Sequence, residues 1–375
     1  MMYSRADKSA VVRWWWTVDR VALACVLALI GIGLVLAFAA SPAATGTAAA
    51  AGDFHYALKQ VVFAGTAALI LVAASLLEPR QVRVLAAVLF ALALIGAALA
   101  LFAGEEVNGA RRWIDFGAFK LQPSEYLKPA FAVLAAAVLA DKLRHGYPGA
   151  LVTLGLLAPA VFVLILQPDI GQTALLVALW AAMLFFAGTS YYWIAGLGVA
   201  GGGLLMLTYM LHGHVRDRID LFFDPNAQGY QTGLALKAFE AGGLAGAGPG
   251  AGTIKYRLPD AHTDFIFAVA GEEFGLVLCV AIAALFAAIT IRLLLRAAKA
   301  RELFAQLAGA GLAIAVGLQA FINMGVSLSL LPAKGMTLPF ISYGGSSLFA
   351  VALTLGLALG VTRMRPLLPD EGVRR

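Results

Sequence analysis

The sequence predicts an all-α, polytopic membrane protein with about ten transmembrane helices. Of its 375 residues, 61% are apolar and only 13% are charged, whereas soluble domains average about 45–50% apolar and about 25% charged residues. So little charge cannot cover the surface of a water-soluble globule. The chain also contains ten apolar stretches, most of them close to the roughly 20 residues that a helix needs to cross a bilayer. Composition therefore excludes a soluble enzyme, a disordered chain and a disulfide scaffold.

The apolar stretches form one membrane domain that is expected to cover residues 1–375. A short N-terminal segment, 1–17, precedes the first stretch, and 364–375 forms a tail. The first stretch is too long for the core of a signal peptide, which has about 7–15 residues, so we expect it to be the first span. The predicted spans are 18–40, 57–77, 82–103, 123–140, 149–167, 170–188, 191–211, 264–291, 303–327 and 343–362.

The distribution of Lys and Arg predicts the orientation of the chain. With the N-terminus in the cytoplasm, most of the 27 basic residues fall on the cytoplasmic side, as the positive-inside rule requires. Both termini are then cytoplasmic, and the polar segments 104–122, 212–263 and 328–342 face outward. The segment 212–263 is a large extracytoplasmic loop between helices 7 and 8. The same rule explains the net charge of +6 without a nucleic-acid partner.

The first polar cluster lies around the start of the fourth stretch. Arg112 beside Trp113 suits a lipid pyrophosphate or a sugar, because guanidinium binds phosphate in a bidentate fork and an aromatic ring stacks on apolar surface. An interfacial Trp with a snorkelling Arg is the alternative. Glu125 and Lys128 share one helix face, and charge inside a span is costly unless it is paired. They form either part of a site or a structural ion pair.

The second cluster is the loop 212–263. It contains Arg216 and Arg218, a glycine-rich stretch from Gly242 to Gly252, and Lys255. The glycine pattern is not that of a phosphate-binding P-loop. A flexible loop that closes over a substrate fits the composition better.

Asp264 stands where this loop meets the eighth apolar stretch. A partly desolvated carboxylate at that position can have a raised pKa and act as a general base. Capping of the following helix by Thr263 or Asp264 is the alternative. Glu272 and Glu273 lie about two turns further along. Adjacent helix positions differ by about 100°, so these two carboxylates are expected to point in different directions.

The third cluster extends from Leu331 to Ser347 and includes Lys334 and Ser342. Two prolines and three glycines in this segment break any helix. Non-helical backbone near membrane depth is tolerated only where it is buried in protein or lines a wet cavity. We therefore expect the segment to close the outer rim of a polar cavity, with a purely structural turn as the alternative.

Four stretches in this order carry a resemblance to the SEDS family of bacterial cell-wall polymerases: NGARRWI, QPSEYLKP, LPDAHTDFIFAVAGEEFG and LPAKGMTLPFISYGGSS. The resemblance covers about residues 18–365. It implies a ten-helix glycosyltransferase of the bacterial inner membrane, with its active face toward the periplasm. Such an enzyme adds the disaccharide of lipid II to a growing glycan strand and releases undecaprenyl diphosphate. The residues at 334–337 and 272–275 favour the division branch over the elongation paralogue, although Ala333 departs from the Thr common in division members.

The resemblance also implies roles for individual residues. The aspartate of the HTDF motif, Asp264 here, is implied to be the catalytic residue, and we expect it to take the proton from the acceptor hydroxyl. The residues expected to bind substrate are Arg112, Trp113, Arg216, Arg218, Lys255, Lys334 and Ser342. The residues expected to support the site are Asn108, Glu125, Lys128, His262, Thr263, Glu272 and Glu273.

A divalent cation, Mg²⁺ or Mn²⁺, can share in neutralising the leaving group. The implied partners are a class B penicillin-binding protein, which crosslinks the glycan, and other membrane proteins of the division septum. Two other classes fit part of the pattern. A lipid II flippase would use several spans, intramembrane carboxylates and a broken segment, yet the sequence shows no internal repeat and its polar motifs concentrate on one side. A non-catalytic scaffold would not require Asp264.

Overall fold

The computed structural model describes residues 10–44, 54–107, 110–117, 119–190, 230–332 and 335–363, and isolated positions between 192 and 220. The described part is predominantly helical. Its helices are α1 (Ala10–Thr17), α2 (Arg20–Ala44), α3 (His55–Leu76), α4 (Pro79–Ala103), α5 (Pro123–His145), α6 (Gly149–Leu166), α7 (Ile170–Phe186), α8 (Tyr230–Gly242), α9 (Ile266–Ala298), α10 (Leu303–Ser327) and α11 (Gly345–Val361).

The helices confirm the predicted class of a helical, multi-span membrane protein. Among the described residues, α2, α3, α4, α6, α9 and α10 are long and apolar enough to cross a bilayer, and α7 and α11 are shorter apolar helices. The seventh predicted span, 191–211, falls largely outside the described residues. Helix α8 lies in the segment 212–263, which was predicted as a polar connection, and α1 lies in the N-terminal segment 1–17.

Helices α5 and α10 form the centre of the bundle. Helix α5 packs against α4, α6, α7 and α10, while α10 also packs against α9 and α11. The buried faces of both helices are rich in Ala, which lets helix backbones approach closely where lipid provides no hydrophobic drive for association. Helix α3 runs along α11, and Gly356 permits this contact, since a Cβ there would lie 2.6 Å from the Leu71 carbonyl oxygen.

A small antiparallel sheet covers one end of the bundle. Its strands are β1 (Glu105–Val107), β2 (Ala110–Asp115) and β3 (Lys120–Leu121), in the order β1-β2-β3. The sheet occupies the polar segment 104–122 that the sequence predicts between two spans. It contacts α4 and the start of α5, and it thereby places the β2 side chains over the end of the bundle.

The far end of α9 is fixed by a buried carboxylate. Asp19, between α1 and α2, accepts hydrogen bonds from Arg292 Nε at 2.7 Å and from Arg296 Nε at 2.6 Å. Both arginines lie in the last turns of α9, whereas Asp264 lies just before its first turn. The two ends of this long helix therefore carry different chemistry, an ion-pair cluster at one end and a lone motif aspartate at the other.

Helix α9 is interrupted at Gly275, whose φ of 75° and ψ of −173° are not helical. The interruption lets the chain 243–248 pack against the helix. Leu276 N donates to the Gly243 carbonyl at 2.9 Å, and Gly248 N donates to the Glu273 carbonyl at 3.0 Å. A side chain at Gly275 would collide with this loop, since a Cβ there would lie 2.4 Å from the amide nitrogen of Gly246.

We predict that Gly275→Ala destabilises the protein while Gly65→Ala does not. Alanine at residue 275 combines a left-handed φ, which costs about 1–3 kcal/mol, with a backbone clash. Gly65 lies in α3, where an added Cβ meets nothing within 4 Å and alanine is the better helix former. Thermal unfolding of the two purified variants measures the difference. Equal midpoints would contradict the packing of the loop on α9.

Candidate active site

A polar cavity of about 670 Å³ lies beneath the sheet. Its walls come from β2, from the residues that precede α9 and from the segment that precedes α11. The structure brings six of the sequence-predicted site residues into its lining: Arg112, Trp113, Glu125, His262, Thr263 and Asp264. Residues from three distant polar clusters thus meet at one end of the bundle.

Asp264 is held in place through its main chain. Asp260 has a φ of 54°, and its carbonyl oxygen accepts the amide hydrogens of Thr263, Asp264 and Phe265 at 3.1, 3.0 and 3.2 Å. The N-cap position of α9 is Phe265, with no side-chain capping hydrogen bond. Capping of α9 by Thr263 or Asp264 is therefore wrong, and the Asp264 carboxylate is free of that role.

The surroundings of Asp264 favour its protonated form. Burial is the largest cause of a raised pKa. The nearby carboxylates of Asp260 and Asp169 also raise it, the Arg112 guanidinium lowers it, and together these groups bring the pKa of Asp264 to about 7. A carboxyl group with a pKa near neutrality can exchange a proton with a bound molecule at physiological pH.

Arg112 enters the cavity from β2 and is anchored at its base. Its Nε donates to the Gln167 carbonyl at 3.0 Å, one of its terminal nitrogens donates to the Pro168 carbonyl at 2.6 Å, and Nε lies 4.0 Å from Asp169 Oδ2. Burial raises the pKa of Asp169 and Arg112 opposes that shift. The guanidinium is thus held in one orientation beside Asp264, with further donors available to an anion.

Three aromatic rings that line the cavity form a cluster. The ring centroids of Tyr56, His262 and Tyr343 lie 5.0–5.7 Å from one another. Burial lowers the pKa of His262, although Asp260 acts in the other direction, and this shift favours the neutral imidazole. Phe63 joins this cluster at 6.2 Å from Tyr343.

An apolar groove of about 440 Å³ adjoins the polar cavity. Lys59, Phe63 and Phe119 line both spaces, and the groove continues along Leu58, Val62 and Phe349. A polar compartment and an apolar one are therefore continuous at the end of the bundle. Such a pair suits an amphiphile with a polar head and a hydrocarbon chain.

Ser342 makes structural hydrogen bonds rather than the expected contact with substrate. Its hydroxyl donates to the Thr263 carbonyl and accepts from the Leu338 amide at 2.7 Å. Tyr343 N also donates to the His262 carbonyl at 2.9 Å. Ser342 is buried and binds the two motifs to each other, so its predicted contact with substrate is corrected to a structural contact.

Glu125 and Lys128 form a buried ion pair at the floor of the cavity. Lys128 Nζ lies 2.6 Å from Glu125 Oε2 and 2.7 Å from Gln319 Oε1, and Gln172 Nε2 lies 2.5 Å from Glu125 Oε1. Side-chain partners from α5, α7 and α10 thus satisfy both charges. The ion pair between the two residues is thus observed, and their supporting role in the site stays a prediction.

Lys255 does not reach the cavity. Its side chain is 1% exposed, it forms an ion pair with Glu273, and Nζ donates to the Ala39 carbonyl at 2.7 Å. The predicted contact with substrate is therefore wrong, because the ammonium is buried and paired within the protein. Spacing in the sequence could not show this, since both partners are distant in the chain.

Glu272 and Glu273 both accept hydrogen bonds from the glycine-rich loop. Glu272 accepts the amide hydrogens of Thr253, Ile254 and Lys255 at 2.6–3.0 Å, and Glu273 accepts that of Gly250 at 3.0 Å. The two carboxylates bind different groups of the loop, so one loop meets both adjacent glutamates, and their expected difference in direction is not contradicted. Part of the stretch from Gly242 to Gly252 thus packs on α9, and closure of the loop over a substrate stays a prediction.

Arg216 is the one remaining expected site residue that the structure describes away from the cavity. Arg216 is exposed, donates to the Met210 carbonyl at 3.0 Å and lies over the Tyr209 ring. Asn108, Arg218 and Lys334 lie outside the described residues. Among the residues that are described, no group of three or more His, Cys, Asp or Glu side chains could hold a metal ion.

Sequence reasoning gave no role to three residues that shape the site: Asp169, Asp260 and Tyr343. Asp260 and Tyr343 lie inside the motifs quoted above, and Asp169 lies in the short break before α7. Its side chain accepts from Gln172 N at 3.3 Å as the N-cap of that helix. An acidic residue after a helix-breaking proline indicates a helix cap. The sequence does not indicate that Asp169 lies close to Arg112.

Comparison with known proteins assigns the chain to a family. The family model of the FtsW, RodA and SpoVE cell cycle proteins matches residues 19–366. The probable peptidoglycan glycosyltransferase FtsW of Caulobacter vibrioides is 43% identical over 367 residues, which cover 97% of this chain and 94% of that protein.

Two solved structures share the fold. A chain in the structure of a peptidoglycan synthase complex that coordinates polymerization and crosslinking has a TM-score of 0.77 and 30% identity, and the match covers 93% of this chain and 98% of that one. The crystal structure of the rod shape determining protein RodA of Thermus thermophilus has a TM-score of 0.68 and 28% identity, with 93% and 97% covered.

We predict that Lys255→Met lowers the thermal midpoint strongly, whereas Lys59→Met, at an exposed lysine of the cavity, does not. Removing one partner of a buried ion pair costs about 3–5 kcal/mol. The double variant Lys255→Met/Glu273→Gln should recover much of the loss, since it removes the unpaired charge and keeps an acceptor for Gly250. A double variant no more stable than Lys255→Met would contradict the pairing.

Proposed function

The chain belongs to the family of the FtsW, RodA and SpoVE cell cycle proteins, and we propose that it polymerises lipid II into glycan strands as a peptidoglycan glycosyltransferase. Undecaprenyl diphosphate is released, and the glycan serves septal wall synthesis in division. The observation that carries this proposal is the Asp264 carboxylate, which faces the cavity beside Arg112 with a pKa of about 7 and caps no helix.

In the proposed reaction Asp264 is the catalytic residue. Its ionised carboxylate takes the proton from the 4-hydroxyl of the acceptor sugar, and the oxygen attacks the anomeric carbon of the donor. The bond from that carbon to the diphosphate oxygen breaks, and the diphosphate leaves with the electron pair. The anchored guanidinium of Arg112 stabilises the negative charge that develops on the leaving group.

The two connected spaces support a lipid-linked substrate. The polar cavity accommodates a sugar and diphosphate head, with aromatic rings on one wall that suit the apolar face of a sugar. The adjoining groove, lined by Leu58, Val62 and Phe349, suits a prenyl chain that enters from the bilayer. Trp113 is placed on the cavity wall, where its indole can contact either part.

The finer topology belongs to the same proposal. Ten spans with both termini cytoplasmic would place the sheet and Asp264 on the periplasmic side of the inner membrane, with the loop 212–263 outside. Arg218 and Lys334 remain candidates for diphosphate contacts and Asn108 for a supporting one. A structural relative occurs in a complex that couples polymerization to crosslinking, which supports a class B penicillin-binding protein as the partner, with other septal proteins.

We predict that Asp264→Asn abolishes glycan formation from purified lipid II without unfolding the protein. The amide has the size of the carboxyl group but cannot accept the proton. It also stays uncharged in the buried site, so the substitution should not destabilise the fold. Glycan length on gels and thermal unfolding measure the two effects. The matched control is Asp141→Asn, at an aspartate that pairs with Arg83 away from the cavity. Polymerisation by Asp264→Asn at the control rate would refute the assignment of the base.

We further predict a pH profile set by Asp264. The value of kcat/KM should rise with pH through about 7 and be about tenfold below its plateau at pH 6, because only the ionised base acts. The charged groups near Asp264 are Asp260, Asp169 and Arg112. Removing the negative charge of Asp260 eases ionisation, so Asp260→Asn should shift this limb to lower pH. An unshifted limb would contradict the coupling.

A linked effect on stability has the opposite direction. A carboxyl group whose pKa is raised on folding binds its proton more tightly in the folded state, so its contribution to stability declines as pH rises from about 4 to about 7. The wild type should therefore lose stability relative to Asp264→Asn across this range. Thermal midpoints of both proteins at several pH values measure that difference.

A further inference from the structure

We propose that Asn323 of α10 is a positioning residue that fixes Asp264 against the adjacent backbone at Gly335 and Met336. The inference rests on the proposed function to the extent that Asp264 is the base. It concerns a residue within an apolar stretch, outside every motif on which the site was first recognised.

The side-chain amide of Asn323 joins two distant segments. Its Nδ2 donates to the carbonyl oxygen of Asp264 at 2.8 Å and to that of Met336 at 2.6 Å. Asn323 is 2% exposed, and its hydrogen bond to Met336 is buried while that to Asp264 is partly buried. One NH₂ group has two hydrogens, and each is used to hold one of the two segments.

These hydrogen bonds hold the two segments a short distance apart. Gly335, next to Met336, faces the carboxylate of Asp264, and a Cβ at Gly335 would lie 3.1 Å from Oδ2. Glycine therefore allows the backbone to approach the base more closely than other residues would. A shift of either segment by a fraction of an ångström would change the space in which an acceptor hydroxyl must lie.

A second side-chain amide on the same face of α10 holds the neighbouring residue of the same segment. Gln319, one turn before Asn323, donates through Nε2 to the Thr337 carbonyl at 3.0 Å, and its Oε1 accepts from Lys128 Nζ at 2.7 Å. Residues four apart lie on one helix face. The two amides together hold residues 336–337 and connect them to the buried pair of Glu125 and Lys128.

The chemistry of an amide suits this position better than a charge would. The carbonyl groups of the irregular segments need donors, because unsatisfied backbone groups are costly at membrane depth. A Lys or Arg in place of Asn323 would provide donors but would lower the pKa of Asp264 by its charge. A neutral donor positions the base and leaves its proton affinity to the residues of the cavity.

The test compares two variants with a control on the same helix. Asn323→Leu keeps the volume and removes both donors, and Asn323→Ala is the smaller alternative. The control is Ser327→Ala, a buried residue one turn further whose hydroxyl donates only within the helix, to the Asn323 carbonyl at 3.1 Å. Steady-state turnover of fluorescent lipid II by the full-length protein gives kcat and KM. We expect kcat to fall about 100-fold in both Asn323 variants, with KM and the control close to wild type.

Hydrogen exchange followed by mass spectrometry provides a measure that does not depend on activity. Amides of residues 260–265 and 335–343 should exchange faster in both Asn323 variants than in wild type or in Ser327→Ala. Unchanged exchange in these segments, or a kcat equal to that of the control, would overturn the inference. If the wild type forms no glycan, the proposed function fails, and the exchange comparison still decides whether Asn323 holds the two segments.

Discussion

The site depends on one constraint, which is that irregular backbone beside apolar helices must find its hydrogen bonds within the protein. Two such segments meet at the end of α9, residues 253–265 and 335–344. Their carbonyl and amide groups are satisfied by Glu272, Ser342, Gln319 and Asn323. These hydrogen bonds come from side chains and not from the regular hydrogen bonding of a helix or a sheet. The polar residues that the bilayer tolerates in this bundle are therefore largely those that hold its non-helical parts.

The same constraint shapes the electrostatics of the cavity. Because the backbone holds Asp264 through its main-chain groups, the carboxylate need not bind structural donors that would stabilise its charge. Burial and the neighbouring Asp260 then raise its pKa, and the anchored Arg112 limits the rise. Positioning and acidity are thus set by different groups. Charged donors on the carboxylate would also fix its place, but they would lower its pKa at the same time.

Hydropathy predicted the helices well because the signal is local. The stretches 57–77, 149–167 and 303–327 coincide within about two residues with α3, α6 and α10, since apolar length alone defines a span. Hydropathy missed α8 and the kink at Gly275. The first is a short helix within a polar loop, and the second is a backbone angle that depends on the loop packed against it.

The site was predictable only where a motif keeps its residues together. Asp264, His262, Arg112 and Trp113 were singled out and line one cavity. Lys255 was misassigned, because a lysine beside a loop has the same appearance whether it faces solvent or a buried glutamate. The two amides of α10 escaped notice, since isolated Asn and Gln in an apolar run form no pattern. Their partners, residues 264 and 336–337, become neighbours only after folding.

The distribution of polar groups along α9 bears on the choice between chemistry and transport. One end of the helix carries Asp264 and an open cavity, whereas the other is held by the contacts of Asp19 with Arg292 and Arg296. A carrier must expose its site to both sides in turn, which requires groups at both ends that can separate. A buried carboxylate with two arginine partners opposes such opening, because separating them would leave the buried charge of Asp19 uncompensated. A fixed far end and an accessible near end are what surface chemistry on a membrane-bound substrate requires.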